Sequence, residues 1–350
     1  MSSGPKYHGI ELLRFAMALI VVIYHISAWI CPLQSPLLSA IVHYGQPVAV
    51  PVFWCLSGFI FYAVYGETIH SLRVNFRGFA LARFTRLYPL ALVTLILCLL
   101  LNELYFSINH SSFVYHRGDF YHFCLNLLMM SHWGFQKFTA FNGPVWSVSV
   151  EVITYFVFFV VARLFGSSPL IAILAVFLGK GIAHFEPNLT NHLAISSCIQ
   201  LFFLGGLVYS IYSRFDRVLD RHYFIACAVS SISLLLVTSL LSDRYRIQLL
   251  PPSLVLWSTV LARNAAGWME QVADFCGSLT YSSYLLHFPV VLLVVIILDK
   301  LQIQRSIITG SVGIALVVAL ILLLSRLTFV YFESPIQYLL RCKLSDRRAS

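Results

Sequence analysis

Charged side chains are scarce: Asp, Glu, Lys and Arg make up 11% of the 350 residues, where an ordinary soluble domain carries roughly 25%. With 59% of its residues hydrophobic, such a chain has too little polar surface to cover a water-facing globule. Acidic residues are scarcest, 14 against 23 Lys and Arg, for a net charge of +9. That excess does not point to nucleic acid, because the basic residues are scattered between apolar runs and form no stripe that could track phosphates. The 8 cysteines show no CxxC spacing and mostly sit in apolar segments, so they read as small buried hydrophobes and neither a disulfide frame nor a metal centre is expected. His110, His116, His122 and His132 share a stretch without repeated metal-ligand spacing and are assigned solvated or interfacial roles. Internal repeats, linkers and low-complexity stretches are absent too, and no polar segment is long enough for a core of its own. Residues 1–350 therefore read as a single membrane domain.

What is present is long apolar runs. A helix needs about 20 residues to cross roughly 30 Å of hydrocarbon, and the runs give ten candidate spans near 10–30, 46–66, 88–106, 145–165, 168–183, 195–213, 223–241, 248–263, 275–299 and 306–332. The fold class is thus an all-α polytopic membrane protein. Glu11 and Arg14 interrupt the first run and no A-x-A cleavage site follows it, so it reads as an uncleaved span. With both termini cytoplasmic, alternation leaves Arg117, Lys137, Lys180, Arg244, Arg246, Lys300 and Arg305 outside and puts every other Lys and Arg, from Lys6 to Arg347 and Arg348, inside. That bias is the positive-inside pattern. The aromatic-rich segment 120–135 is short for a span and reads as a re-entrant or interfacial helix on the outer side.

A charge at the centre of a span costs about 2.5–3.5 kcal/mol on insertion scales, so the ionisable residues that remain in spans are functional leads. Arg14 and His25 lie eleven residues apart in the first span, which returns them to one helix face within about 20° after a rise of roughly 16 Å. From Ser71 to Pro89, Arg73, Arg77, Arg83 and Arg86 alternate with aromatics, as in a surface-lying amphipathic helix whose guanidinium forks meet phosphate, from lipid or from a nucleotide. The fourth span opens at Asn142–Pro144 and carries Ser147, Glu151 and Tyr155 at i, i+4 and i+8, a polar stripe facing the bundle interior. The ninth holds Tyr281, Tyr284 and His287 ahead of Pro289. The tenth ends in Tyr331–Pro335, where Glu333 falls on the same side as Arg14 and Arg83, so that a pair among them could hold an inner gate.

In order, the chain shows Arg14 and His25; FWCLSGF from Phe53 to Phe59, containing Ser57; RFTR from Arg83 to Arg86; WSVSVE from Trp146 to Glu151; SLTYSSYLLHFP from Ser278 to Pro289; and FESP from Phe332 to Pro335. This series resembles the membrane acyltransferase 3 family, whose members acylate sugars of surface polysaccharides and related molecules. The resemblance implies a bundle of ten or eleven helices in a bacterial inner membrane, taking an acyl group from cytoplasmic acyl-coenzyme A and delivering it to a hydroxyl at the far face. It further implies that His25 is the essential histidine, Arg14 its partner, and Arg83 with Arg86 the cytoplasmic arginine pair, while Glu151 and Glu333 match motif carboxylates. Some relatives carry an additional hydrolase-like domain; this sequence stops at Ser350, which implies direct transfer or hand-over to a separate protein.

The chemistry fits these residues. A thioester is already activated, so the protein must hold donor and acceptor about 3–3.5 Å apart and remove the hydroxyl proton as the bond forms. Histidine suits that task, as general base or as carrier of the acyl group. Arg83, Arg86 and Arg14 are expected to hold the nucleotide end of acyl-coenzyme A, most simply acetyl-coenzyme A, as co-substrate rather than as a resident cofactor. Ser57, Trp146, Ser147, Tyr155, Tyr284, His287 and Glu333 are expected to serve the substrate or the frame, with Glu151 or a tyrosine orienting His25. The expected partners are membrane lipid, a saccharide acceptor and polysaccharide-assembly proteins. The rival reading is a proton-coupled transporter of a small polar or sugar-like solute, which would also centre His, Glu and Arg, although no paired interrupted helices in two related halves are visible.

Overall fold

The structure, a computed structural model, describes residues 7–185, 190–240 and 243–346. Lys6, Arg347 and Arg348, placed above on the cytoplasmic side, lie outside the described residues. The described residues are mostly helical and contain no strand: α1 His8–Trp29, α2 Pro36–His70, α3 Phe76–Asn109, α4 Phe120–Leu127, α5 Trp146–Phe165, α6 Pro169–Phe185, α7 Thr190–Arg214, α8 Asp216–Arg221, α9 Tyr223–Leu240, α10 Asp243–Leu261, α11 Gly267–Lys300, α12 Ser311–Thr328 and α13 Ser334–Asp346. Backbone groups in hydrocarbon must be satisfied within the segment, which is why apolar runs of this length become helices. Among the described residues, 7 helices are long and apolar enough to cross a membrane. Shorter apolar helices at Pro169–Gly181, Tyr223–Ser239 and Gln248–Leu261 coincide with the remaining expected spans.

Several helices begin before the expected spans and run through prolines that those spans already contained. α2 continues through Pro47 and Pro51, α10 through Pro251 and Pro252, and α3 through Pro89. The expected surface-lying helix from Ser71 to Pro89 is therefore not separate: Arg77, Arg83 and Arg86 sit on the first turns of α3, and only residues 71–75 form the turn before it. Proline survives inside membrane helices when neighbours satisfy the backbone it frees. Near Pro89, whose missing N–H leaves the Thr85 carbonyl, the Tyr281 hydroxyl donates to a different acceptor, the Leu87 carbonyl, at 2.5 Å.

The chain divides into two compact units. The first comprises Met1–Met17, Tyr44–Asn75 and Val150–Gly277. In it α2 and α7 approach backbone to backbone: a Cβ on Gly58 would strike the Phe202 carbonyl, and one on Gly205 the Cys55 carbonyl. Small residues at such crossings let van der Waals packing replace the hydrophobic drive that lipid cannot supply. Arg263 ties this unit's polar end, reaching Asp220 at 2.5 Å, Asp216 at 2.7 Å and the Tyr212 hydroxyl at 2.6 Å.

The second unit comprises Ala18–His43, Phe76–Ser149 and Ser278–Ser350. Its core joins Val22 and Ile26 of α1, Leu95 and Cys98 of α3, Phe288 to Ile296 of α11 and Ile314 to Ile321 of α12. Between α3 and α5 the chain folds on itself. Asp119 caps α4, helicity stops at Leu127, and the Trp133 indole and the His132 amide bond Ser149. The segment expected near 120–135 is thus half helix and half tied loop. His122, for which a solvated or interfacial role was expected, is buried and so not solvated: its Nδ1 meets Asp119 Oδ1 at 2.6 Å, and its Nε2 accepts from the Lys137 amide at 3.2 Å.

Candidate active site

The site is built in the second unit around the proline of α11. Pro289 has no N–H for the carbonyl four residues earlier, that of Leu285. The side-chain amide of Asn142 takes its place, donating to Leu285 O at 2.9 Å. Next to it the Tyr284 hydroxyl lies 3.0 Å from the Pro144 carbonyl and 2.7 Å from the Ser147 hydroxyl. The entry to α5 is thereby clamped onto one turn of α11, with Asn142, Ser147 and Tyr284 all buried.

The clamp fixes His287. Its Nδ1 stands 2.7 Å from the Tyr284 carbonyl, an acceptor only, so Nδ1 carries the hydrogen. In the neutral ring Nε2 is then a lone pair, and it faces Nδ1 of His25 at 3.0 Å. A hydrogen bond between the two rings requires His25 to be protonated on Nδ1, which leaves its own Nε2 as the unshared, basic nitrogen. Trp29, one turn along α1, stacks on His25 with centroids 4.4 Å apart and 14° between planes, and on His287 at 5.5 Å and 3°. Phe288 and Tyr115 meet Trp29 edge-on. A Cβ on Gly143 would run into the Tyr115 ring, so glycine at that position lets the ring close over the α5 entry.

A second polar group lies on Glu333, buried at the end of a π turn, Phe329–Glu333, that joins α12 to α13. Inserted turns of this kind re-aim a side chain and are frequent at functional sites. Its carboxylate accepts from the buried Ser282 hydroxyl, with Arg86 as its cationic neighbour. Within the first unit Arg14 pairs with Glu11 one turn away at 3.2 Å. Arg83 is half-buried and Arg86 exposed, one turn apart on α3.

Of the residues expected from sequence, the second unit holds His25, His287, Tyr284, Ser147, Trp146, Arg83, Arg86 and Glu333, and it brings the first, second, third and fourth of these into one bonded chain. Arg14, Ser57, Glu151 and Tyr155 belong to the first unit. There Tyr155 stacks on Phe61 at 4.4 Å and Ser57 is half-buried on α2. Sequence reasoning missed Trp29 and Asn142 as site members. Both left a signal: Trp29 stands at i+4 from His25, and the proline of HFP announces a carbonyl that must find another donor.

With this geometry in place, the comparison with known proteins is direct. A family model described as an acyltransferase domain, that of the acyltransferase 3 family, matches residues 7–326. No curated protein and no solved structure matches the chain.

Proposed function

Since the chain belongs to the acyltransferase 3 family, whose model spans nearly all of both units, and is an integral multi-pass membrane acyltransferase, we propose that it transfers an acyl group, acetyl in the simplest case, from acyl-coenzyme A to a hydroxyl of a cell-surface or lipid-linked saccharide. His25 acts as general base. The observation that carries this reading is the bonded order Tyr284 carbonyl, His287, His25, which presents Nε2 of His25 as a lone pair.

In the reaction, Nε2 of His25 takes the hydroxyl proton as the acceptor oxygen attacks the thioester carbonyl. The C–O bond forms, the C–S bond breaks, and the leaving thiolate recovers the proton from the imidazolium. The products are the ester and coenzyme A, and His25 returns to its neutral form. General-base assistance of this kind contributes roughly 10²–10⁴-fold. His287 accepts from Nδ1 throughout, so the tautomer does not have to change between steps. Trp29 covers one face of the ring and limits water there.

Arg83 and Arg86 hold the phosphates of the donor. Guanidinium forks match such groups bidentately. The arginine ends of α1 and α3 face the cytoplasm of a bacterial cell, both termini are on that side, and the 110–142 segment faces outward, where the saccharide is met.

The test is consumption of radiolabelled acetyl-coenzyme A by isolated membranes, followed by recovery of label in alkali-labile glycan esters. Label in esters that depends on His25 supports the reading. Unchanged label in membranes carrying His25→Ala refutes it.

A further inference from the structure

Between α4 and α5 lies a pocket lined by His122, Leu125, Asn126, Ser131, His132, Gln136, Phe138 and Asn142 among others. Its empty space is about 240 Å³ including the open mouth, and its floor is narrow enough for one hydroxyl-sized group. Four of its polar atoms are buried and without a partner: Ser131 Oγ, His132 Nδ1, Gln136 Nε2 and Asn142 Oδ1. Asn142 is only 2% exposed. Buried polar groups are normally paired, so four orphans converging on one small space mark a place that a ligand group or a water fills.

The orientation of both amides is fixed by backbone. Asn142 Nδ2 donates to Leu285 O, which turns its Oδ1 toward the pocket as a pure acceptor. Gln136 Oε1 accepts from the Gly134 amide at 3.1 Å, which leaves Nε2 as a pure donor. A hydroxyl satisfies this pair, donating to Asn142 and accepting from Gln136. No Asp, Glu, Lys or Arg lines the pocket. His122 spends both ring nitrogens on Asp119 and the Lys137 amide in its neutral form. Burial lowers the pKa of His132 below its ordinary value, keeping it uncharged at neutral pH. An anion or cation would thus enter without a counter-charge, whereas Leu125 and Phe138 offer an apolar wall beside the polar floor, as pyranose rings require.

We propose that this pocket is a hydroxyl-recognition subsite for a neutral saccharide, in which one sugar hydroxyl occupies the floor against Asn142 and Gln136 while the ring rests at the mouth. The identity of the ligand as acceptor rests on the reading of the protein as a saccharide acyltransferase. The subsite connects to that chemistry through Asn142, whose amide bridges the pocket and the turn of α11 that carries His287.

The probe is a set of methyl pyranosides (glucoside, galactoside and mannoside) titrated through the millimolar range against the full chain in lipid nanodiscs. A Ser131→Cys variant is alkylated with a maleimide, and the rate over that of the unsubstituted protein is followed. At least one pyranoside is expected to slow labelling saturably by about tenfold, 1-propanol to have no effect, and Gln136→Leu to abolish the protection while His25→Ala retains it. In the unsubstituted protein, hydrogen exchange of the amides at 131–137 is expected to slow with the same pyranoside. Labelling and exchange that ignore every pyranoside, or respond equally to propanol, overturn the proposal and leave an internal water only. If acetyl-coenzyme A consumption remains His25-dependent in that case, the acyltransfer reading survives the loss of the subsite. Protection without any consumption supports the subsite and removes its link to acyl transfer.

Discussion

Replacing His287 probes the chemistry without touching the base itself. In the structure His287 Nε2 is the acceptor for Nδ1–H of His25 at 3.0 Å. His287→Leu strands that N–H in a buried setting, at a cost of about 1–3 kcal/mol. The ring escapes the cost by moving its proton to Nε2, the nitrogen that must be bare for proton abstraction. If the tautomer balance moves by that amount, the competent fraction falls roughly 5- to 150-fold, at 1.36 kcal/mol per decade. The affected quantity is kcat, because the donor's phosphates lie elsewhere, so KM for acetyl-coenzyme A is expected to hold. The assay is thiol release from acetyl-coenzyme A in isolated membranes at saturating donor, beside His287→Gln, whose side-chain carbonyl offers His25 a substitute acceptor and is expected to recover part of the rate. Transfer by His287→Leu within twofold of the unsubstituted enzyme, or equal loss in the Leu and Gln variants, would refute the tautomer argument.

Other outcomes follow from single contacts. Arg83→Ala with Arg86→Ala is expected to raise the KM for acetyl-coenzyme A at least tenfold with a smaller effect on kcat; an unchanged KM would return these arginines to lipid anchoring. Asn142→Ala leaves the Leu285 carbonyl without its donor and is expected to cost about 1 kcal/mol, measured as lower thermal stability in nanodiscs; no change would mean that Pro289 needs no substitute donor. Asp119 accepts from the His122 amide and, second, bonds its ring, and these contacts hold the carboxyl below its ordinary pKa. The contribution of that cap is therefore complete above the ordinary carboxylate range and is lost only as pH falls through the lowered value. The protection of α4 against hydrogen exchange should hold from neutral pH down to the ordinary carboxylate range, and Asp119→Ala should remove it throughout that interval. Exchange that accelerates already near pH 6 contradicts this.

The fold was legible because hydropathy is a local property. Apolar runs of membrane length became helices where expected, and α2, α3 and α10 begin earlier than expected, at Pro36, Phe76 and Asp243, because a hydropathy window does not register the more polar turns that open them. The candidate site was legible as individual residues, since His25 and Glu333 each stand out against an environment that disfavours charge. Their partners were not. His25 and His287 are 262 residues apart, and Glu333 meets Ser282 across 51, so no spacing rule connects them. Of the solvated and interfacial alternatives for His122, burial excludes the solvated one, and the reason is readable: Asp119 three residues earlier is a helix-capping position whose carboxylate also reaches the ring.

The central claim is that the imidazole of His25 takes the acceptor's proton. Its most direct test is the rate of labelled acetyl transfer from acetyl-coenzyme A into membrane glycans by His25→Ala, with membrane abundance and thermal stability matched to the unsubstituted protein. The account predicts loss of at least 10²-fold with donor binding retained. Transfer at an undiminished rate contradicts it.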